Sequence, residues 1–204
     1  IPLWLNLIEP PESCYPVLEG LIIEKRVLAD QVWARIRRQF EANRTAAARY
    51  SMNYLPPSQT PDARTALAVS DTPVPWLVKL PPGLTSSRMN RELAALAISR
   101  VARNDPRMAS EQLSRIESQL QASEKSWAWG QIGWQAAQRH MGEALEWYRK
   151  AGDAPLSDEV AQWKVRAALR AQDWGTVRTT IEKMPPALAE QAPWVYWLGR
   201  AYRA

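Results

Sequence analysis

The side chains able to do chemistry are few in this 204-residue chain and do not converge by spacing. There is one histidine, His140, in Arg139-His140-Met141-Gly142. A lone His cannot complete a metal site without Asp, Glu or Cys at ligand spacing, and none stands near it in such a pattern. It reads as a surface or capping residue at a turn between helices, where a cation suits a helix C-terminus. There is one cysteine, Cys14, which excludes an internal disulfide framework. It reads as a buried thiol, or as half of a disulfide whose partner lies upstream of Ile1. Glu12 opens the run Glu12-Ser13-Cys14-Tyr15-Pro16. A carboxyl can serve as general acid and base only where a cleft holds it with a raised pKa. No phosphate-cradling glycine loop, paired Cys-x-x-Cys or nucleophile elbow is present. The chain is therefore assigned no catalytic, cofactor-binding or metal-binding residue, and no cofactor.

Aromatic and basic residues are the other candidates. Eleven tryptophans stand against a single Phe, with Trp127, Trp129 and Trp134 in one cluster and Trp194 and Trp197 in another. Indole rings can form a sugar-stacking platform, but large rings more often fill gaps between helices, and that reading is preferred here. The net charge is +5. The excess falls in Lys25 to Arg49 and Arg88 to Arg103, a bias toward anionic polymers or surfaces. Acids interleave with the bases, so nucleic acid is not expected. Arg35, Arg37, Arg38, Arg88, Arg91, Arg100, Arg103 and Arg107 read mostly as solvated helix faces.

The elements that must position these residues are helices. Leu28, Val32, Ile36 and Phe40 recur every four residues and predict one buried stripe over 28–42, with Arg35 and Arg38 on other faces. Leu156, Val160, Trp163, Ala167 and Ala171 do the same over 156–171. Residues 91–102 are nearly all apolar after Glu92 and predict a helix buried on most sides. Asn104-Asp105-Pro106 reads as a stop followed by a capped start. Gly152 and Pro155 end one helix, Ser157 starts the next, and Asp173 caps another. About a dozen helices result. Residues 73–80 are the only stretch that could be extended, and their prolines argue against a central strand.

The helices repeat in pairs. One unit runs from Trp33 through Ala42-Asn43 to Pro56-Pro57, another from Trp163 through Ala171-Gln172-Asp173 to Pro185-Pro186. Gly142 to Tyr148 reads as the second helix of a similar pair, and Leu198-Gly199 with Tyr202 matches part of the tetratricopeptide pattern. Such hairpins cannot bury their apolar faces alone and stack on neighbours, helped by Ala and Gly at facing positions. The expected fold is all-α, an α-solenoid of stacked, tetratricopeptide-like helix pairs. It forms one superhelical domain over 1–204, with a looser break near 71–84. No apolar run is long enough to span a bilayer. Ile1-Pro2-Leu3-Trp4 is not a signal peptide, and the chain reads as a fragment of a larger protein.

Several stretches, in order, resemble one family. Leu3-Trp4-Leu5 with Pro11 and Cys14, the pair Leu28 to Pro56, the Arg- and Ala-rich helix Arg91 to Asp105, and the pair from Trp163 to Tyr196-Trp197 resemble the helical, U-shaped region of the soluble lytic murein transglycosylases. Glu12-Ser13-Cys14-Tyr15 also resembles that family's catalytic Glu-Ser-x-aromatic motif. Pro16-Val17-Leu18-Glu19-Gly20 follows it in place of the family's Gly-Leu-Met-Gln block, so it reads as a chance match and a helix start. The resemblance implies that the catalytic domain lies downstream and is missing here, leaving this chain inactive alone. It implies a periplasmic parent enzyme, a lyase that cleaves the MurNAc–GlcNAc bond of peptidoglycan without water to a 1,6-anhydro product. The partners it implies are glycan strands and other cell-wall enzymes, and it pairs Cys14 with a cysteine upstream. A tetratricopeptide-like adaptor for protein partners is the alternative from the residues alone.

Overall fold

The computed structural model describes residues 8, 12–24 and 26–204, the side chains of Glu12 and Tyr15 excepted. Every regular element among them is helical. The backbone divides into two compact units, Ile1–Arg100 and Val101–Ala204.

In the first unit a short 3-10 turn, Glu12–Cys14, leads into α1, Tyr15–Ile23. There follow α2 (Ala29–Glu41), α3 (Thr45–Met52), α4 (Ala63–Asp71), α5 (Pro73–Val78) and α6 (Arg88–Ala102). Helix α2 packs on α3, α3 on α4, and α4 on α5. Val32, Ile36 and Phe40 line the buried stripe of α2, as their spacing requires. Leu28 does not join it. It is the N-cap of α2, in extended backbone, and is 62% exposed. Trp33 is fully buried, and its indole N–H donates to Gln59 Oε1 at 2.8 Å, tying α2 to the Pro57–Gln59 turn. Residues 73–78, the stretch open to an extended reading, are helical. Pro73 and Pro75 stand in the first turn, where an N–H has no intrahelical partner and its loss costs nothing. The expected burial of α6 is observed, with Leu93 through Ile98 wholly inaccessible.

The second unit holds α7 (Pro106–Ile116), α8 (Ala122–Gln138), α9 (Ala144–Ala151), α10 (Asp158–Arg170), α11 (Trp174–Glu182), α12 (Pro186–Ala189) and α13 (Ala192–Ala201). Each main helix touches the next, and α8 also touches α10, as α11 touches α13. This neighbour-and-next-neighbour pattern is that of stacked helix pairs. Start signals are satisfied where the sequence places them. Asp105 accepts from the Met108 N–H and precedes Pro106, and Asp173 accepts from the Thr176 N–H. Glu124, 2% exposed, closes a capping box with Gln121 at the start of α8.

Three of the reversals share one geometry. Asn43, His140 and Gln172 adopt φ of 59°, 58° and 55°. In each case that residue's N–H donates to the carbonyl three residues back and the next N–H to the carbonyl five back. The pairs are Phe40 and Gln39, Ala137 and Ala136, Leu169 and Ala168. This left-handed closure satisfies the last carbonyls of the helix and turns the chain back on itself. His140 and Gln172 hold it although neither is glycine.

Tyr148 joins three helices of the second unit. Its ring, on α9, covers Gly133 of α8, where an added Cβ would lie 2.9 Å from the ring Cγ. Its hydroxyl donates to the Val160 carbonyl of α10 at 3.1 Å. Burial pushes the phenol well above its ordinary pKa, so it remains a donor. A ring anchored at its far end cannot retreat from a new methyl group. Gly133→Ala is therefore expected to cost about 2–3 kcal/mol. Gly130→Ala, whose Cβ would meet Leu156 Cδ2 at 3.5 Å in ordinary contact, is expected to be neutral or to gain up to about 1 kcal/mol from helix propensity. Thermal melts by circular dichroism should show a clear drop in melting temperature for Gly133→Ala and none for Gly130→Ala.

Candidate functional site

The structure distributes the sequence candidates widely. Glu12 begins the Glu12–Cys14 turn, and its side chain lies outside the described residues. Cys14 is a half-buried free thiol, less enclosed than a buried thiol reading requires. His140 is exposed at the reversal between α8 and α9. Among the described residues no group of three His, Cys, Asp or Glu side chains is placed to hold a metal.

The arginines of the first unit depart from the solvated-face reading. Arg35 and Arg91 are 2% and 5% exposed. Arg37 bonds Glu92 at 2.8 Å, Arg88 reaches both Glu92 and Asp30, and Glu92 itself is buried. Arg91 donates to the Thr85 carbonyl, and Arg100 donates to Asn43 Oδ1 and the Ser70 carbonyl. Arg49 reaches Ser70 and Asp71. The reason is that α6 is surrounded. A helix with no solvated face must pin its own charges and those of its neighbours to carboxylates and carbonyls, since an unpaired buried charge is prohibitively costly. Much of the basic excess of the first half therefore holds helices together. Arg38 is exposed.

The aromatic residues sort into two sets. Trp33, Trp127, Trp129, Trp134, Trp147 and Trp194 are buried, which supports the packing reading for one whole cluster and half of the other. Trp163, Trp174 and Trp197 are only half-buried, and Tyr196 and Tyr202 are 55% and 62% exposed. These five lie on α10, α11 and α13 and just beyond. The Trp174 and Trp197 rings are 6.4 Å apart at 33°, and Tyr196 meets Trp197 edge-on at 5.0 Å. The Arg166 guanidinium sits 5.1 Å from the ring centres of both Trp163 and Trp194. Arg178 lies 5.9 Å from the Tyr202 ring, whose hydroxyl donates to Glu182 at 2.7 Å. That hydrogen bond raises the Tyr202 pKa. Arg200 reaches the Tyr196 hydroxyl.

Partly open ring faces interleaved with guanidinium groups make this the candidate binding surface of the second unit. Rings of this kind take flat or ring-shaped ligands by dispersion, and the arginines attract carboxylates. The sequence pointed to Trp194 and Trp197 but not to Trp163, Trp174 or Arg166. A legible sign was present in Trp163 and Arg166, three apart on one helix and so on one face.

No protein-family model matches the chain, and no curated protein sequence matches it. Among solved structures, the X-ray structure of an inactive mutant of the lytic transglycosylase Slt from Pseudomonas aeruginosa superposes with a TM-score of 0.58 at 24% identity. The match covers 98% of this chain and 33% of that one, so the chain spans about a third of its length. At this identity the likeness establishes the all-helical fold.

Asp173 presents Trp174 to this surface, because its carboxylate caps α11 and bonds Thr176 and Arg149. The cap bond to the Thr176 N–H is the main cause of its lowered pKa. A lowered folded pKa stabilises fully above the unfolded value near 3.8 and is lost as pH falls through the folded value. Asp173→Ala is expected to cost about 1 kcal/mol at neutral pH. The difference in melting temperature between variant and wild type should close as the pH drops below about 4.

Proposed function

We propose that this chain is a non-catalytic superhelical part of a periplasmic lytic transglycosylase, a parent enzyme that cleaves the MurNAc–GlcNAc bond of peptidoglycan to 1,6-anhydro products. Its work is to carry the catalytic domain and to guide glycan strands. The observation that carries this reading is the fold likeness to a lytic transglycosylase over 98% of the chain. The sequence resemblance in the Leu3–Cys14, Leu28–Pro56 and Arg91–Asp105 stretches supports it independently. The open aromatic rings of α10, α11 and α13 suit pyranose faces, and Arg166, Arg178 and Arg200 suit the carboxylates of peptide stems. Other cell-wall enzymes are natural partners for such a scaffold.

The test is co-sedimentation of the purified chain with peptidoglycan sacculi, with the soluble fraction read by mass spectrometry. The chain is expected to pellet with sacculi and to release no 1,6-anhydro muropeptide. Trp197→Ala should weaken retention between about twofold and tenfold, the range for loss of one aromatic contact. Release of anhydro products by the chain alone would overturn the non-catalytic role. Failure to pellet would favour a tetratricopeptide-like adaptor, for which peptide capture is then the assay.

A further inference from the structure

Two helix pairs of the second unit are complete. Helix α8 turns at His140 into α9, and α10 turns at Gln172 into α11, through the same left-handed closure. Helix α13 packs on α11 and is the last helix among the described residues. It stands where the first helix of a third pair belongs.

The sequence repeats the register of the earlier pair. Trp129-x-x-Ile132-Gly133-x-x-Ala136 of α8 recurs in α13 as Val195-x-x-Leu198-Gly199-x-x-Tyr202. These four places, at i, i+3, i+4 and i+7, share one helix face. In α8 that face is covered. Trp129 is 1% exposed and Ile132 and Ala136 are wholly inaccessible, and a Cβ on Gly133 would stand 2.9 Å from the Tyr148 ring of α9. In α13 the same face is open. Val195 and Tyr202 are 55% and 62% exposed, Leu198 is half-buried, and a Cβ on Gly199 would meet nothing within 4 Å. The hydrogen bond from the Tyr202 hydroxyl to Glu182 leaves that ring open. Glycine weakens a helix relative to alanine. At Gly133 that loss is offset, because the missing methyl group lets a ring reach the backbone. At Gly199 nothing in the chain offsets it.

From one register, covered in the first pair and open in the last, we infer that Val195, Leu198, Gly199 and Tyr202 seat an antiparallel amphipathic helix that continues the same polypeptide and lays an aromatic ring on Gly199. The same polypeptide is the source because in both complete pairs the covering helix is the next one along the chain, joined through residues 139–143 or 171–173 alone. Docking withdraws Tyr202 from the aromatic surface. The inference rests on the proposed function only in requiring a longer polypeptide, and it makes no use of glycan.

The test extends the whole chain after Ala204 with a copy of its own Arg139–Gly152, the turn and helix that cover Gly133. Ala204 stands five places after Gly199, as Gln138 does after Gly133, so the copy enters in register. Hydrogen exchange of the α13 amides is expected to slow about tenfold or more on extension, and alanine in place of the copied tyrosine should remove the gain. Gly199→Ala decides whether the glycine is the seat. In the 204-residue chain it should leave the melting temperature unchanged or raise it, and in the extended chain it should abolish most of the slowing, because a methyl group lifts the ring. Unchanged exchange on extension, or the same effect of Gly199→Ala in both forms, would overturn the assignment. Equal slowing by the Arg139–Gly152 peptide added free would give the seat to a separate protein. A dimer of the 204-residue chain by sedimentation, with α13 already protected and released by Gly199→Ala, would give it to a second copy. Retention on sacculi is measured apart, so failure here leaves the glycan reading standing.

Discussion

The second unit depends on the seat of Tyr148 against Gly133. The ring meets the backbone of α8 with no room for a methyl group, and the hydroxyl reaches across to α10. One side chain thereby fixes the separation of α8 and α9 and the placement of the first turn of α10. Part of what is assigned to function in this unit lies on α10. Trp163 and Arg166 belong to the aromatic surface, and Lys164 faces the Tyr148 ring. Packing density of this kind transmits position, because a close-packed interior has few alternative arrangements.

The first unit solves a different problem. Helix α6 is apolar through Leu93 to Ile98 but carries Arg91 and Glu92, both buried, just before that run. Glu92 takes Arg37 and Arg88, and Arg91 takes a carbonyl, so the charges are satisfied inside the fold. Such pairs give less net stability than their Coulomb attraction suggests, because both ions are desolvated. What they supply is register, since Arg37 of α2 meets Glu92 of α6 and Arg88 of α6 meets Asp30 of α2. The positive charge that made the first half look suited to an anionic polymer is largely committed to this purpose. The open arginines next to open rings are in the second unit.

The helices and most of their ends were legible in the sequence, because each rests on local physics. Period-four spacing gave the stripe of Val32, Ile36 and Phe40. Asp105-Pro106 and Asp173 marked starts through side chains that bond the adjacent backbone. The likeness of the two units that turn at Asn43 and Gln172 was visible as a spacing, and the structure shows the left-handed closure the turns share. What was not legible depends on contacts distant in the chain. Arg35 sits on a helix face that reads as solvated, and only the burial of its neighbourhood reveals otherwise. Residues 73–80 read as the one stretch open to an extended form, because the place of Pro73 and Pro75 in a helix's first turn is set by where that helix starts.

Buried indoles build this fold, and the separate, open set is the one proposed to meet glycan. The side-chain N–H resonances of the tryptophans test it in one spectrum. On addition of soluble MurNAc–GlcNAc oligosaccharides, the signals of Trp163, Trp174 and Trp197 are expected to move together and saturate. Those of Trp33 and Trp129, whose indole N–H groups are held by Gln59 and Glu117, are expected to stay fixed. If no indole signal moves, or if the buried set moves while the open set does not, the surface on α10, α11 and α13 is not a glycan-binding face.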